Sequence, residues 1–89
     1  MSKDDWIPVN GTPPKDGQKC LVTVEYFGSK KDREVVMGTY SKDLYKIDKN
    51  DFYDKKGKAG WYGFDSEYGY YEILDVKAWK PLDEPYTGD

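Results

Sequence analysis

The chain of 89 residues contains no histidine and a single cysteine. Without an imidazole group, it cannot use the serine–histidine or cysteine–histidine arrangements of nucleophilic catalysis, nor a metal held by histidine. A lone thiol forms no internal disulfide and cannot build a zinc site of the usual cysteine and histidine type. Because Cys20 lies in the most apolar segment, we predict that it is a small buried hydrophobic residue and not a nucleophile.

Long hydrophobic runs are also absent. No apolar run approaches the roughly 20 residues that a membrane span needs, and residues 1–5 are too polar for a signal peptide. We therefore expect a cytoplasmic protein with no membrane association. The length fits one domain over residues 1–89, with a folded core in 6–82 and a frayed tail in 83–89.

Aromatic side chains are abundant instead. The chain has three tryptophans, nine tyrosines and three phenylalanines, and each such ring can bury on the order of 150–250 Å². This supply suits a thin, sheet-rich domain with a small core. We predict structural roles for Trp6, Trp61 and Trp79.

The alternation of apolar and polar residues predicts a mainly β fold. The clearest strands are Lys19–Phe27, Glu34–Ser41, Trp61–Asp65 and Val76–Trp79, with an edge strand at Trp6–Val9 and a further candidate at Tyr70–Leu74. In the last clear strand, the alternation places Val76 and Ala78 on one face and Lys77 and Trp79 on the other. We predict a small twisted antiparallel sheet of about four to five strands, with at most a short helix in 41–54.

The charge is concentrated at the carboxyl-terminal end. Residues 61–89 carry two basic and seven acidic side chains, a net charge of −5 in a chain whose net charge is −3. They also hold eight of the fifteen aromatic residues. Two interpretations stay open: a solvated acidic surface, or a tyrosine-rich face that binds a basic partner. The candidate binding residues are Tyr62, Asp65, Glu67, Tyr68, Tyr70, Tyr71, Glu72 and Asp75.

The remaining motifs indicate no catalytic or metal chemistry. Asp65 and Glu67 share a strand face, but two acids at an exposed strand end are ordinarily solvated. The segment Asp48–Tyr53 begins like a calcium loop, yet aromatic residues stand where a ligand and a glycine are needed. Basic clusters at 30–33 and 55–58 are short in an acidic chain, so direct nucleic-acid binding is not expected. We predict a protein that is not an enzyme and uses no metal or cofactor.

Two tryptophan-containing motifs carry a family resemblance. The first is Trp6-Ile7-Pro8-Val9, continuing through Pro13-Pro14-x-x-Gly17 to Cys20-Leu21-Val22, and the second is Val76-x-Ala78-Trp79-x-Pro81-Leu82-x-Glu84-Pro85. Together they resemble the domain of unknown function 551, a family of small proteins of phages and bacteria. The chain departs from the family pattern at Pro13, Cys20 and Asp83, where leucine, valine and proline are usual.

The resemblance implies a structural role for these motifs, because the family has no established catalytic residues. It also implies that Trp6 and Trp79 stack near each other and join both termini to one sheet. Small phage proteins often bind a host or defence component. We therefore predict an accessory protein of a phage or mobile element, located in the cytoplasm of the bacterial host, that binds a protein with a basic surface. Its predicted action is inhibition of a host defence or nucleic-acid enzyme, such as a CRISPR nuclease. The alternative is a small-ligand binder, such as a sponge for nucleotide signals.

Overall fold

The predicted mainly β fold is confirmed. A computed structural model describes residues 6–82, and within them one antiparallel sheet has the strand order β1-β6-β2-β3-β4-β5. The strands are β1 (Ile7–Pro8), β2 (Lys19–Glu25), β3 (Arg33–Ser41), β4 (Gly60–Asp65), β5 (Gly69–Ile73) and β6 (Val76–Pro81). The sheet thus has six strands where four to five were predicted. Residues 1–5 and the predicted frayed tail, 83–89, lie outside the described residues.

The segment between β3 and β4 contains the predicted short helical element, a single 3₁₀ turn at Leu44–Lys46. Asp43 caps this turn, because its carboxylate accepts a hydrogen bond of 3.2 Å from the backbone N–H of Tyr45. Leu44 and Phe52 are both buried, so the segment packs against the rest of the domain through these two side chains. No helix in residues 6–82 is long and apolar enough to cross a membrane.

Alternation within the strands divides the sheet into two faces. One face, called the core face below, holds the buried cluster of Cys20, Val22, Val24, Tyr40, Trp61 and Trp79. The opposite side is called the outer face. Cys20 is fully buried, which confirms its predicted burial. Burial raises the pKa of its thiol, and the neighbouring indole of Trp61 offsets only part of this effect.

The prediction for the faces of the last strand is wrong. Val76 lies opposite Val24, and Trp79 lies opposite Val22, so Val76 and Trp79 share the core face. The reason is a register shift opposite Thr23 and Val24, which adds one residue to β6 and reverses the alternation beyond it. A bulge of this kind depends on the partner strand and is not visible in the pattern of β6 alone.

The predicted stacking of Trp6 on Trp79 is also wrong. Ile7 lies opposite Trp79, so Trp6, the residue before Ile7, faces the other side of the sheet. On that outer face, Nζ of Lys80 lies 5.0 Å from the centre of the Trp6 ring. Trp79 is 5% exposed, and its indole N–H donates a hydrogen bond of 3.1 Å to the carbonyl of Thr12. The two rings therefore stabilise opposite faces.

The sheet curls so that the end of β5 approaches the core face of β3. A Cβ atom at Gly38 would lie only 2.7 Å from Cδ1 of Ile73, so the absence of a side chain at this position permits the approach. The chain then passes through Asp75, whose carbonyl accepts a hydrogen bond of 3.1 Å from the N–H of Glu25. This crossing brings β6 back beside β2 and leaves β5 as an edge strand.

Candidate functional site

The β4–β5 hairpin contains most of the predicted binding residues. Its register runs from Trp61 opposite Ile73 to Asp65 opposite Gly69. At the tip, a carboxylate oxygen of Asp65 accepts hydrogen bonds from the N–H groups of Glu67, at 2.7 Å, and Tyr68, at 3.1 Å. Asp65 therefore fixes the turn. The turn presents Glu67 and Tyr68 to solvent at the end of the hairpin.

Three aromatic rings form a continuous row on the outer face of this hairpin, called the aromatic ladder below. The rings of Tyr62 and Tyr70 lie 5.7 Å apart at 68°, and those of Phe64 and Tyr70 lie 4.9 Å apart at 60°. These edge-to-face contacts are the favourable arrangement for aromatic pairs. Burial raises the pKa of the Tyr62 hydroxyl, and the neighbouring Tyr70 and the carboxylate of Asp16 add to this effect.

The ladder is partly exposed, with Tyr62 and Tyr70 half-buried and Phe64 at the surface. Phe64 is 63% exposed, and Tyr68 at the hairpin tip is 80% exposed. The apolar surface continues towards β3, because β3 and β4 pair only from Thr39 to Ser41 and separate beyond that point. The gap between them is a cleft of about 260 Å³, lined in part by Phe64 and by Met37, which is 62% exposed. Contiguous exposed apolar surface of this kind marks interaction sites in proteins.

The hairpin is also acidic. Residues 60–73 include three carboxylates and no basic side chain. Glu72 forms an ion pair of 3.1 Å with Lys55, which raises the pKa of that lysine. Asp65 holds the turn together. Glu67 is exposed and forms no ion pair with any lysine or arginine in residues 6–82. The carboxylate of Glu67 at the tip is therefore available to form an ion pair with a basic side chain of a partner.

The structure brings part of the predicted set together and separates the rest. Tyr62, Tyr70 and Glu72 share the outer face, because Tyr62 lies opposite Glu72 in the hairpin register. Tyr71 lies opposite Gly63 on the core side. A Cβ atom at Gly63 would lie only 2.5 Å from Cζ of Tyr71, so the ring covers the glycine.

Asp75 lies farthest from the predicted face. It follows β5 at the end of the strand opposite the tip, with a φ of 59°.

Phe64 and Met37 are the residues that the sequence prediction missed. Phe64 could have been found, because it alternates in phase with Tyr62. Met37 could not, because only the tertiary structure places it at the cleft beside β4.

No metal or catalytic centre is found in the part of the chain that the structure describes. Residues 6–82 contain no group of three or more cysteine, aspartate or glutamate side chains that could hold a metal ion. The single thiol is buried and its pKa is raised, which disfavours a nucleophilic thiolate. The absence of enzymatic activity stays a prediction.

Comparison of the chain with models of known protein families, with curated proteins and with solved structures finds no match. The resemblance to the domain of unknown function 551 therefore stays a prediction, and the candidate site is described by its own geometry.

Proposed function

We propose that this protein binds a protein partner with a basic surface through the aromatic ladder and the tip of the β4–β5 hairpin, and that it does so without catalysis. The observation that carries the proposal is the ladder of Tyr62, Phe64 and Tyr70 on an edge hairpin, in which Phe64 is exposed and the two tyrosines are half-buried. A domain with a small core gains stability from every apolar ring that it buries. Rings that stay at the surface and pack on one another are suited to a contact with another molecule.

The physical properties of the ladder favour a protein interface. Aromatic rings supply a large contact area, and tyrosine adds a hydroxyl group that can form hydrogen bonds at the rim. The edge-to-face contacts already restrict the side chains of Tyr62, Phe64 and Tyr70. Binding therefore costs less side-chain entropy than it would for isolated flexible residues. The ladder is in this sense preorganised.

The charge of the hairpin favours a basic partner. Glu67 stands at the exposed tip without an ion-pair partner in the described residues, and residues 60–73 contain no basic side chain. An acidic surface accelerates encounter with a basic one and repels acidic competitors. The specific proposal of an inhibitor of a defence nuclease in the bacterial cytoplasm rests on the family resemblance alone. The hairpin geometry supports only the more general proposal of a contact with a basic protein.

The geometry gives less support to a nucleotide sponge. Such a site needs basic side chains that converge on phosphate groups. In the basic segment 55–58, Lys55 pairs with Glu72 at 3.1 Å, and Nζ of Lys56 lies 5.8 Å from the centre of the Tyr45 ring. These two cations therefore already have intramolecular partners. The aromatic hairpin is the better-supported site.

Capture experiments with matched variants test the proposal. The protein is immobilised, and nuclease-treated bacterial lysate supplies candidate partners. We expect one protein to be retained by the wild type and to lose roughly tenfold or more in affinity with Tyr68→Ala or Glu67→Lys, as for a central interface residue. Phe27→Ala and Asp32→Lys are the controls, because Phe27 is 95% exposed and Asp32 is exposed, and both lie in the turn between β2 and β3.

The purified partner then permits kinetic measurements. We expect its association rate to fall as salt rises, because exposed charges are screened beyond about 8–10 Å at physiological ionic strength. Circular dichroism must show that each variant is folded. Partner binding that survives both hairpin variants, or that is lost equally in the two controls, would contradict the proposed site.

A further inference from the structure

A second site lies on the core face, at the end of the sheet away from the hairpin tip. The curl of the sheet leaves an open cavity of about 450 Å³ between the ends of β2 and β3 on one side and the end of β5 on the other. Val24, Val36 and Ile73 form its base. This volume is in the range of small-ligand sites, which are mostly apolar with few polar groups.

Two tyrosines give the cavity aromatic walls. Tyr26 lines it from the end of β2, and Tyr71 lines it from β5. The first ring is 42% exposed and the second 50% exposed, so both rings remain accessible to a ligand. The face of an aromatic ring attracts cations, and quaternary ammonium groups are bound in this way by aromatic cages.

The charge at the cavity is negative. No lysine or arginine lines it, whereas Asp75 does. Glu34 lies beside the hydroxyl of Tyr26, as the pKa of that tyrosine shows, since burial and then Glu34 raise it. Neither Asp75 nor Glu34 forms an ion pair within residues 6–82. Glu72 also lines the cavity, but its carboxylate already pairs with Lys55.

We infer that this cavity binds a hydrophobic organic cation, that is, an amine or quaternary ammonium group attached to an apolar or aromatic body. The apolar base accepts the body of such a ligand, and Tyr26, Tyr71 and Asp75 surround its charge. A phosphate-bearing or carboxylate ligand is disfavoured, because no basic side chain lines the cavity and the unpaired charges there are negative. None of the ladder rings lines the cavity, although Tyr71 lines both the cavity and the cleft beside the ladder. Tyr26 and Asp75, the residues that the test varies, lie outside the proposed partner surface, so the inference is tested independently of the proposed function.

Three probes with one aromatic body test this inference: benzyltrimethylammonium, benzyl alcohol and phenylacetate, which are cationic, neutral and anionic at neutral pH. Amide chemical shifts in two-dimensional NMR report binding. We expect benzyltrimethylammonium to bind with a Kd of roughly 1–10 mM, in line with about eleven heavy atoms of modest efficiency. The shift changes should centre on Val24, Val36 and residues 73–75. The neutral probe should bind several times more weakly, and the anion should not bind measurably.

Substitutions separate the two sources of cation preference. Tyr26→Leu removes the ring and should weaken cation binding about fivefold, whereas Tyr26→Phe should retain it. Asp75→Asn removes the charge and keeps a residue that tolerates positive φ, and it should weaken the cation about threefold without affecting benzyl alcohol. Asp54→Asn, the same change of charge at an exposed acid between β3 and β4 that does not line the cavity, is the control and should bind as the wild type does.

Several results would overturn the inference. These are equal affinity for the three probes, shift changes centred on the hairpin tip, or no shift changes with 20 mM benzyltrimethylammonium, a concentration above the expected Kd range of about 1–10 mM. Wild-type affinity in both Tyr26→Leu and Asp75→Asn would overturn it as well. Asp75→Asn keeps the test decisive if the leucine variant does not fold.

Discussion

Truncation of Trp79 should destabilise the domain far more than truncation of Trp6, although the sequence motifs present the two residues as a pair. Trp79 is 5% exposed and also donates its indole N–H to Thr12. Removal of a buried aromatic side chain typically costs about 3–5 kcal/mol. At about 0.05–0.15 kcal/mol per residue, a domain of this length has a total stability of roughly 4–13 kcal/mol. Trp79→Ala should therefore remove a large part of the free energy of unfolding.

Trp6 lies on the outer face, where it is half-buried and covers the Lys80 side chain. Its contribution consists of partial burial and a cation–π contact, which is worth about 0.5–2 kcal/mol depending on desolvation. We expect Trp6→Ala to cost about 1–2 kcal/mol. Trp79→Phe retains an aromatic ring in the core and should cost about 1–2 kcal/mol, mainly through the lost hydrogen bond and the smaller buried area.

Urea denaturation followed by circular dichroism measures these differences. The midpoint should fall most for Trp79→Ala, and the thermal midpoint of that variant should fall by about 20 °C, since 1 kcal/mol corresponds to about 4–8 °C in a domain of this size. Equal destabilisation by Trp6→Ala and Trp79→Ala would refute the assignment of the two rings to opposite faces. A loss below about 1 kcal/mol for Trp79→Ala would refute its place in the core.

Three further predictions follow from single contacts. Gly63→Ala should destabilise the hairpin by about 1–2 kcal/mol, because the new methyl group collides with the Tyr71 ring, and most of this cost should vanish in the double variant with Tyr71→Ala, measured by urea denaturation. Arg33→Ala should cost about 1–3 kcal/mol in the same assay, because the buried carboxylate of Glu25 loses its contact of 2.8 Å with the guanidinium group; an unchanged midpoint would contradict this. Native Cys20 should react slowly with a thiol reagent. Because its pKa is raised in the folded state, its contribution to stability should be complete below the ordinary thiol pKa. That contribution should fall as the pH rises above this value and through the raised folded-state pKa, relative to Cys20→Ala. Rapid labelling would indicate an exposed thiol.

The hairpin formed by β2 and β3 was predictable from sequence because its information is local. Cys20, Val22 and Val24 stand at every second position of an apolar segment, and all three are buried. The predicted strand ends two residues too late, since Phe27 adopts a φ of 58° in the turn. A positive φ is uncommon for phenylalanine, so the residue type does not indicate that the strand ends before Phe27.

The errors in β1 and β6 have a non-local cause. The faces of Trp6 and Trp79 depend on how β6 pairs with its neighbours, and one extra residue in β6 changes the face of every residue beyond it. The same limit applies to the candidate site. The acidic and aromatic composition of the hairpin was visible in the sequence. The division of Tyr70 and Tyr71 between two faces follows from simple alternation, whereas the contact of Met37 with the cleft requires the tertiary structure.

The aromatic ladder and the hairpin tip are proposed to form the contact with a protein partner. Hydroxyl-radical footprinting of the protein, alone and with the partner purified by capture, tests this directly because oxidation of aromatic side chains reports their exposure. We expect Phe64 and Tyr68 to become protected in the complex, while Phe27, which is 95% exposed in the turn between β2 and β3, reacts at an unchanged rate. Protection of Phe27 with unchanged oxidation of Phe64 and Tyr68 would contradict this expectation.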